Sequence, residues 1–268
     1  MPDFLVNIIK SPWFIGAVLV AYGAYYLFTK VLPGAKNVKL ALSNYRMDKN
    51  STLSPEQLRL VALSGISAEQ MSAYHNTLSL GKEIKSRAQS ILSDGYGVDT
   101  PRTAREAIEN RLSGQFSSLL PIIYGAVQLQ GDKRKDFLHE AAGDNRDLYN
   151  FLMDRVDNLS KSLPVLKKES IISEETEIMK YGFIGWEIGQ ASILVRAAYD
   201  VSYITEEEAW QYLEQAQQLA KKTLKSWNDL GMSYLIGRSA QMGGTDDMEA
   251  IVFGMLKDKN SPWLSIGW

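Results

Sequence analysis

The segment from Ser11 to Thr29, SPWFIGAVLVAYGAYYLFT, contains no charged residue, and no other feature constrains the chain as much. Lys10 and Lys30 bracket it, its apolar character runs on to Leu32, and Pro33-Gly34 ends it. An α-helix rises about 1.5 Å per residue and a bilayer's hydrocarbon core is about 30 Å thick, so roughly 20 such residues cross it. Ser11 suits an N-cap and Pro12 the first helical position. Trp13 lies near one end and Tyr25 and Tyr26 near the other, where membrane interfaces favour aromatics. The pattern predicts a single transmembrane helix over residues 12–32, within an anchor spanning 1–33.

A cleaved signal peptide would need a basic start and a small-residue cleavage site. The start holds Asp3 and only Lys10, and the apolar run continues beyond Ala21 and Gly23. A buried core helix would carry more polar residues than this segment does. Flanking charge sets the orientation: Lys30, Lys36, Lys39, Arg46 and Lys49 follow the span, and the basic side stays in the cytoplasm. The expected location is therefore a bacterial inner membrane, crossed once, with the C-terminal part inside. At about 100° per residue, Gly16, Ala17, Ala21, Gly23 and Ala24 share one arc, a stripe of small residues that lets a second helix approach.

Residues 34–52 read as a basic, polar linker, and residues 53–268 as one all-α domain. Ser54-Pro55-Glu56-Gln57, Ser67-Ala68-Glu69-Gln70 and Thr205-Glu206-Glu207-Glu208 fit the capping-box pattern, and Thr100-Pro101 is a cap followed by a first-position proline. Helices are expected near 54–64, 68–78, 81–94, 101–112, 116–130, 133–141, 144–159, 174–203 (broken around Gly182–Gly185), 206–222, 225–240 and 246–257. No stretch shows the period-two alternation of a half-buried strand.

The residue inventory narrows function by exclusion. With no cysteine and only His75 and His139, thiol chemistry, cysteine-ligated zinc, histidine metal sites and Ser-His triads have almost no material. A net charge of −2 gives no pull on nucleic acid. The Walker A, G-x-S-x-G and H-E-x-x-H motifs are absent from the sequence. Gly95-Tyr96-Gly97 reads as a helix C-cap and turn rather than a dinucleotide fingerprint, and Gly243-Gly244-Thr245-Asp246-Asp247 as a loop and helix start rather than a cation site. No cofactor or metal is implied.

One constellation stands out. At helical spacing, Glu187 falls on the apolar arc of 183–204 beside Trp186, while Arg196 lies on the opposite, polar arc with Ser192, Tyr199 and Asp200. Trp227, Gly231, Tyr234 and Arg238 share one face of 225–240. A buried charge needs a partner, so Glu187 and Arg238 are expected to meet as an ion pair across the helix interface. Trp186, Glu187, Arg196, Trp227, Tyr234 and Arg238 then form a candidate polar cluster or pocket. Trp263 and Trp268 are expected to pack back on the domain.

The runs GWEIGQASILVRAAYDVSYITEEEAW, SWNDLGMSYLIGR and the terminal SPWLSIGW resemble the bacterial domain-of-unknown-function family numbered 1266, over roughly residues 85–268. The resembling elements are Gly185, Trp186 and Glu187, then Arg196, Tyr203 to Trp210, Ser226-Trp227, and Tyr234 to Arg238. This chain departs from the pattern at Tyr96, where Trp is usual, and at Gln190, where Arg is expected. The resemblance implies an α-helical domain and no established chemistry. The expected function is a membrane-tethered interaction or regulatory protein, immunity-like in kind, with the bilayer and a protein partner or second copy as its contacts. The alternative is a hydrolase or transferase using Glu187.

Overall fold

The computed structural model describes residues 45–268, and every regular element among them is an α-helix. The expected anchor and its small-residue stripe lie outside the described residues. Among the described residues no helix is long and apolar enough to cross a membrane.

The helices are α1 Pro55–Ala62, α2 Gly65–Met71, α3 Lys82–Lys85, α4 Ala88–Tyr96, α5 Pro101–Leu112, α6 Gln115–Ser118, α7 Leu120–Val127 and α8 Gly131–Ala142. They continue as α9 Arg146–Lys168, α10 Glu177–Tyr181, α11 Ile184–Asp200, α12 Glu206–Thr223, α13 Trp227–Met242, α14 Met248–Lys257 and α15 Pro262–Ile266. Local chemistry explains many boundaries. Ser54, Thr100 and Thr205 each accept from the backbone N–H three residues on, while the side chain there returns the bond, so three capping boxes form. Gly97, at φ +65°, closes α4 in the left-handed region that favours glycine. Losing the Thr205 hydroxyl removes one such box at an exposed helix start. Thr205→Ala is therefore expected to cost about 1 kcal/mol, read as a small fall in the urea midpoint.

The core is organised around α11. It packs against α13, α5, α12, α4 and α2. All of its residues except Trp186 and Tyr199 are buried. A helix covered on every side has no solvent face to assign. Its closest neighbour is α13, and glycine permits the approach. A Cβ on Gly185 would stand 2.6 Å from the Leu230 carbonyl oxygen and 2.8 Å from the Tyr234 nitrogen, and one on Gly237 would stand 2.6 Å from Trp186 Cβ. Ser233 secures the crossing: its hydroxyl accepts from Gly185 N–H at 2.8 Å and donates to the Gly182 carbonyl at 3.2 Å. That hydroxyl bridges the break between α10 and α11, which falls at Gly182 as the sequence predicts.

Several expectations need correction. The Ser67–Gln70 pattern does not start a helix: α2 begins at Gly65, and Ser67 sits inside it with its hydroxyl 3.4 Å from the Tyr234 hydroxyl. The helix expected over 144–159 runs on through Pro164 to Lys168, because Leu159, Ser162 and Leu166 keep one face buried. The described end of the expected linker is fastened down. Arg46 pairs with Glu83 at 2.6 Å, and Asn76 exchanges bonds with the Asp48 backbone at 2.7 and 2.8 Å. The terminal tryptophans pack back as expected: Trp263 stacks on Trp227 with ring centroids 5.1 Å apart, and Trp268 meets Trp227 edge-on.

Candidate functional site

Two adjoining cavities open beside the N-terminal half of α11. The inner one, about 510 Å³, lies against α5, α6 and the start of α9; the outer, about 690 Å³, lies against α2, α4 and α13. Arg111, Trp186, Gln190 and Gln241 line both, so the two are lobes of one groove with those side chains at the waist.

Glu187 borders the inner lobe, almost wholly buried. Its carboxylate accepts from the backbone N–H groups of Phe116 and Ser117, each at 3.0 Å, and from the Ser117 hydroxyl. Those amides belong to the first turn of α6, which the left-handed Gly114 turns toward α11. A first-turn N–H has no partner within its own helix, and a carboxylate from another helix supplies one here. Burial pushes the Glu187 carboxyl above the ordinary range; the Ser117 and Phe116 donors and the nearby Arg111 charge pull the other way.

The waist is polar and aromatic. The Tyr96 hydroxyl donates to Gln190 Oε1 at 2.8 Å, and Gln190 Nε2 donates to the Tyr234 hydroxyl at 3.3 Å. Burial raises Tyr96 to about 12, so its hydroxyl remains a donor at neutral pH. Arg111 lies over the Tyr96 ring, 5.2 Å from its centroid, and Nη1 donates to the Ala107 carbonyl of its own helix at 2.9 Å. Burial lowers the Arg111 pKa, against the favourable charge of Glu187. Arg238 lies over Trp186 at 5.5 Å, while its guanidinium donates to the Thr245 carbonyl at 3.1 Å and to Asp246 at 2.5 Å.

The family model described as a protein of unknown function (DUF1266) matches residues 91–268. The chain belongs to the DUF1266 family. No curated protein and no solved structure matches it. The DUF1266 segment includes the whole inner lobe and the waist, while Ser67, Met71 and Arg87 of the outer lobe precede it. Tyr96 and Gln190, the two positions where this DUF1266 chain departs from the resemblance pattern, bond each other, so the two departures are physically linked.

Of the six residues picked from the sequence of this DUF1266 protein, four line the groove: Trp186, Glu187, Tyr234 and Arg238. The expected Glu187–Arg238 ion pair does not form. Glu187 is taken by α6, and Arg238 by the loop that follows its own helix. Trp227 belongs to the C-terminal aromatic cluster instead. Arg196 lies nine residues beyond Glu187, about 13 Å along the helix, and serves a different purpose. Its guanidinium is fully buried and donates to the carbonyls of Tyr74, Thr77, Leu78 and Ser79 and to the Ser64 hydroxyl, at 2.6 to 3.2 Å. Arg111 and Gln241 escaped the sequence reading. Arg111 carried a signal, a lone cation near the end of an amphipathic helix, but nothing local distinguished it from a solvated one. Among the described residues no group of three His, Asp or Glu could hold a metal ion.

Proposed function

We propose that this protein is a membrane-tethered interaction or regulatory protein, immunity-like in kind. Its N-terminal helix spans the bacterial inner membrane, and its helical domain docks a partner over the groove on the cytoplasmic side. The observation that carries this reading is the chemistry of the groove waist: an arginine, a half-buried tryptophan and two glutamine amides converge there. Aromatic and arginine side chains dominate binding hot spots. Met242, 59% exposed, adds an apolar rim to the outer lobe. The tether rests on the uncharged span and the basic residues that follow it.

A hydrolase or transferase acting through Glu187 is the second reading, because that carboxylate borders the inner lobe and burial raises its pKa. It is the weaker one. Both Glu187 oxygens already accept bonds from α6, which favour the ionised form and hold the carboxylate to a structural partner.

Protease added outside intact spheroplasts should leave the domain uncut, and detergent-solubilised full-length protein should co-purify a partner that Met242→Glu releases. Recovery of mature protein in the soluble periplasm would end the tether reading. Co-purification unaffected by Met242→Glu and by Gln241→Arg would end the groove reading.

A further inference from the structure

We propose that the groove waist is an oxyanion site, in which Arg111 receives the phosphate or carboxylate group of a small organic ligand. The inference rests on the reading of this groove as the binding face and names the chemistry it selects.

The first support is the bonding of Arg111. A guanidinium offers five N–H donors in a planar fork. Here only Nη1 has a hydrogen-bond partner among the described residues, a carbonyl one turn back on α5, and no carboxylate among them forms an ion pair with it. Arg111 lines both lobes. The Tyr96 ring 5.2 Å away and the Ala107 carbonyl restrain the guanidinium from two sides, and a restrained fork suits two-pronged recognition of a phosphate or carboxylate.

The second support is charge. Arg87, Arg111 and Arg238 line the outer lobe with Asp94 as its single carboxylate. Arg238 has Asp246, an exposed partner outside the lining. Arg87 stands on the exposed rim. Glu187 is the carboxylate whose charge acts on Arg111. Its oxygens are turned to the first turn of α6, whose two amides and one hydroxyl disperse that charge. The inner lobe carries Asp147 and Glu187 beside Arg111, so the cations gather on the outer side of the waist. An arginine half out of water with no carboxylate bonded to it gains from an incoming anion part of what its burial has cost it. The aromatic walls, Trp186 and Tyr96, favour an anion attached to a flat or apolar body over a free ion.

The test is calorimetric titration of the detergent-solubilised full-length protein with phenyl phosphate, benzoate, inorganic phosphate and the neutral control phenol. Binding of phenyl phosphate or benzoate is expected, and which of the two binds more tightly identifies the oxyanion; inorganic phosphate should bind more weakly and phenol not measurably. Arg111→Met should weaken the preferred anion by about ten- to a hundredfold. Arg111→Lys, which keeps the stem and the charge, should recover part of that loss. Arg102→Met, an exposed change on α5 outside the groove, should leave binding unchanged. Failure of both organic anions to bind, equal binding by phenol, or equal binding by Arg111→Met and wild type would each overturn the proposal. If neither anion binds while Met242→Glu still releases the partner, the docking reading survives and the oxyanion site does not.

Discussion

Arg196→Met is expected to cost the domain about 3–5 kcal/mol, a large share of the roughly 5–15 kcal/mol that holds a typical domain together. The guanidinium is fully buried, and each of its five bonds ends on a group in a segment without regular structure or on the Ser64 hydroxyl. Carbonyls at 74, 77, 78 and 79 converge because the chain between α2 and α3 is wrapped around this one side chain. Asp200, one turn further along α11, completes the fastening by accepting the Leu80 N–H at 2.8 Å. Burial lowers Arg196 to about 10, still far above neutral, so the charge is present throughout the physiological range. Each acceptor stranded by methionine loses about 1–3 kcal/mol, less where water can reach it. Removing the charge also removes its desolvation cost, which keeps the total below the simple sum. Lysine offers three donors where five bonds exist, so Arg196→Lys should recover only part of the loss. Urea unfolding gives the magnitude, and hydrogen exchange at Leu80 shows whether the loop detaches first. A methionine variant with the wild-type midpoint and wild-type protection at Leu80 would refute the fastening role.

The same residue shows why some of the structure was legible in the sequence and some was not. Capping boxes at Ser54, Thr100 and Thr205, and the break at Gly182, depend on side chains a few residues apart, and they stand where the pattern puts them. A helical wheel goes further and assumes one face toward solvent. That assumption fails for α11, which has helices on all sides. Arg196, on the polar arc, is therefore as buried as the leucines opposite it. The wheel also identifies a buried charge without identifying its neighbour. Glu187 is buried as the wheel implies, but its partners are backbone amides about 70 positions back, which no side-chain pattern announces. Arg238 finds Asp246 eight residues on, past the end of its own helix, where period-3.6 reasoning no longer applies. The groove was half legible for the same reason: α11 and α13 supply residues the pattern selects, and α5 and α6 supply Arg111 and the amides by tertiary packing alone.

Trp263→Ala is expected to be comparably severe, about 3–5 kcal/mol, although it lies five residues from the C-terminal residue of this chain. The ring is 1% exposed, stacks nearly parallel on Trp227, and donates Nε1–H to the Ala62 carbonyl at 2.9 Å. That carbonyl ends α1, so the terminal segment supplies a helix with one of the C-terminal donors it lacks. Gly65 makes the seat possible, since a Cβ there would stand 2.9 Å from Trp263 Nε1 and 2.8 Å from Met255 Cε. Alanine would leave a ring-sized void under α13 and α14, uncover Trp227 and strand the Ala62 carbonyl. Trp263→Phe keeps most of the stack and loses the N–H, so it should cost clearly less. Trp268→Ala should cost less again, because that ring is only partly buried and meets Trp227 by its edge. The expected order in thermal unfolding is therefore Trp263→Ala well below Trp263→Phe, and Trp263→Phe below Trp268→Ala. If Trp263→Ala instead melts with the wild type, the C-terminal helix is an ornament on the fold and the closure of α1 must be maintained by groups outside α15.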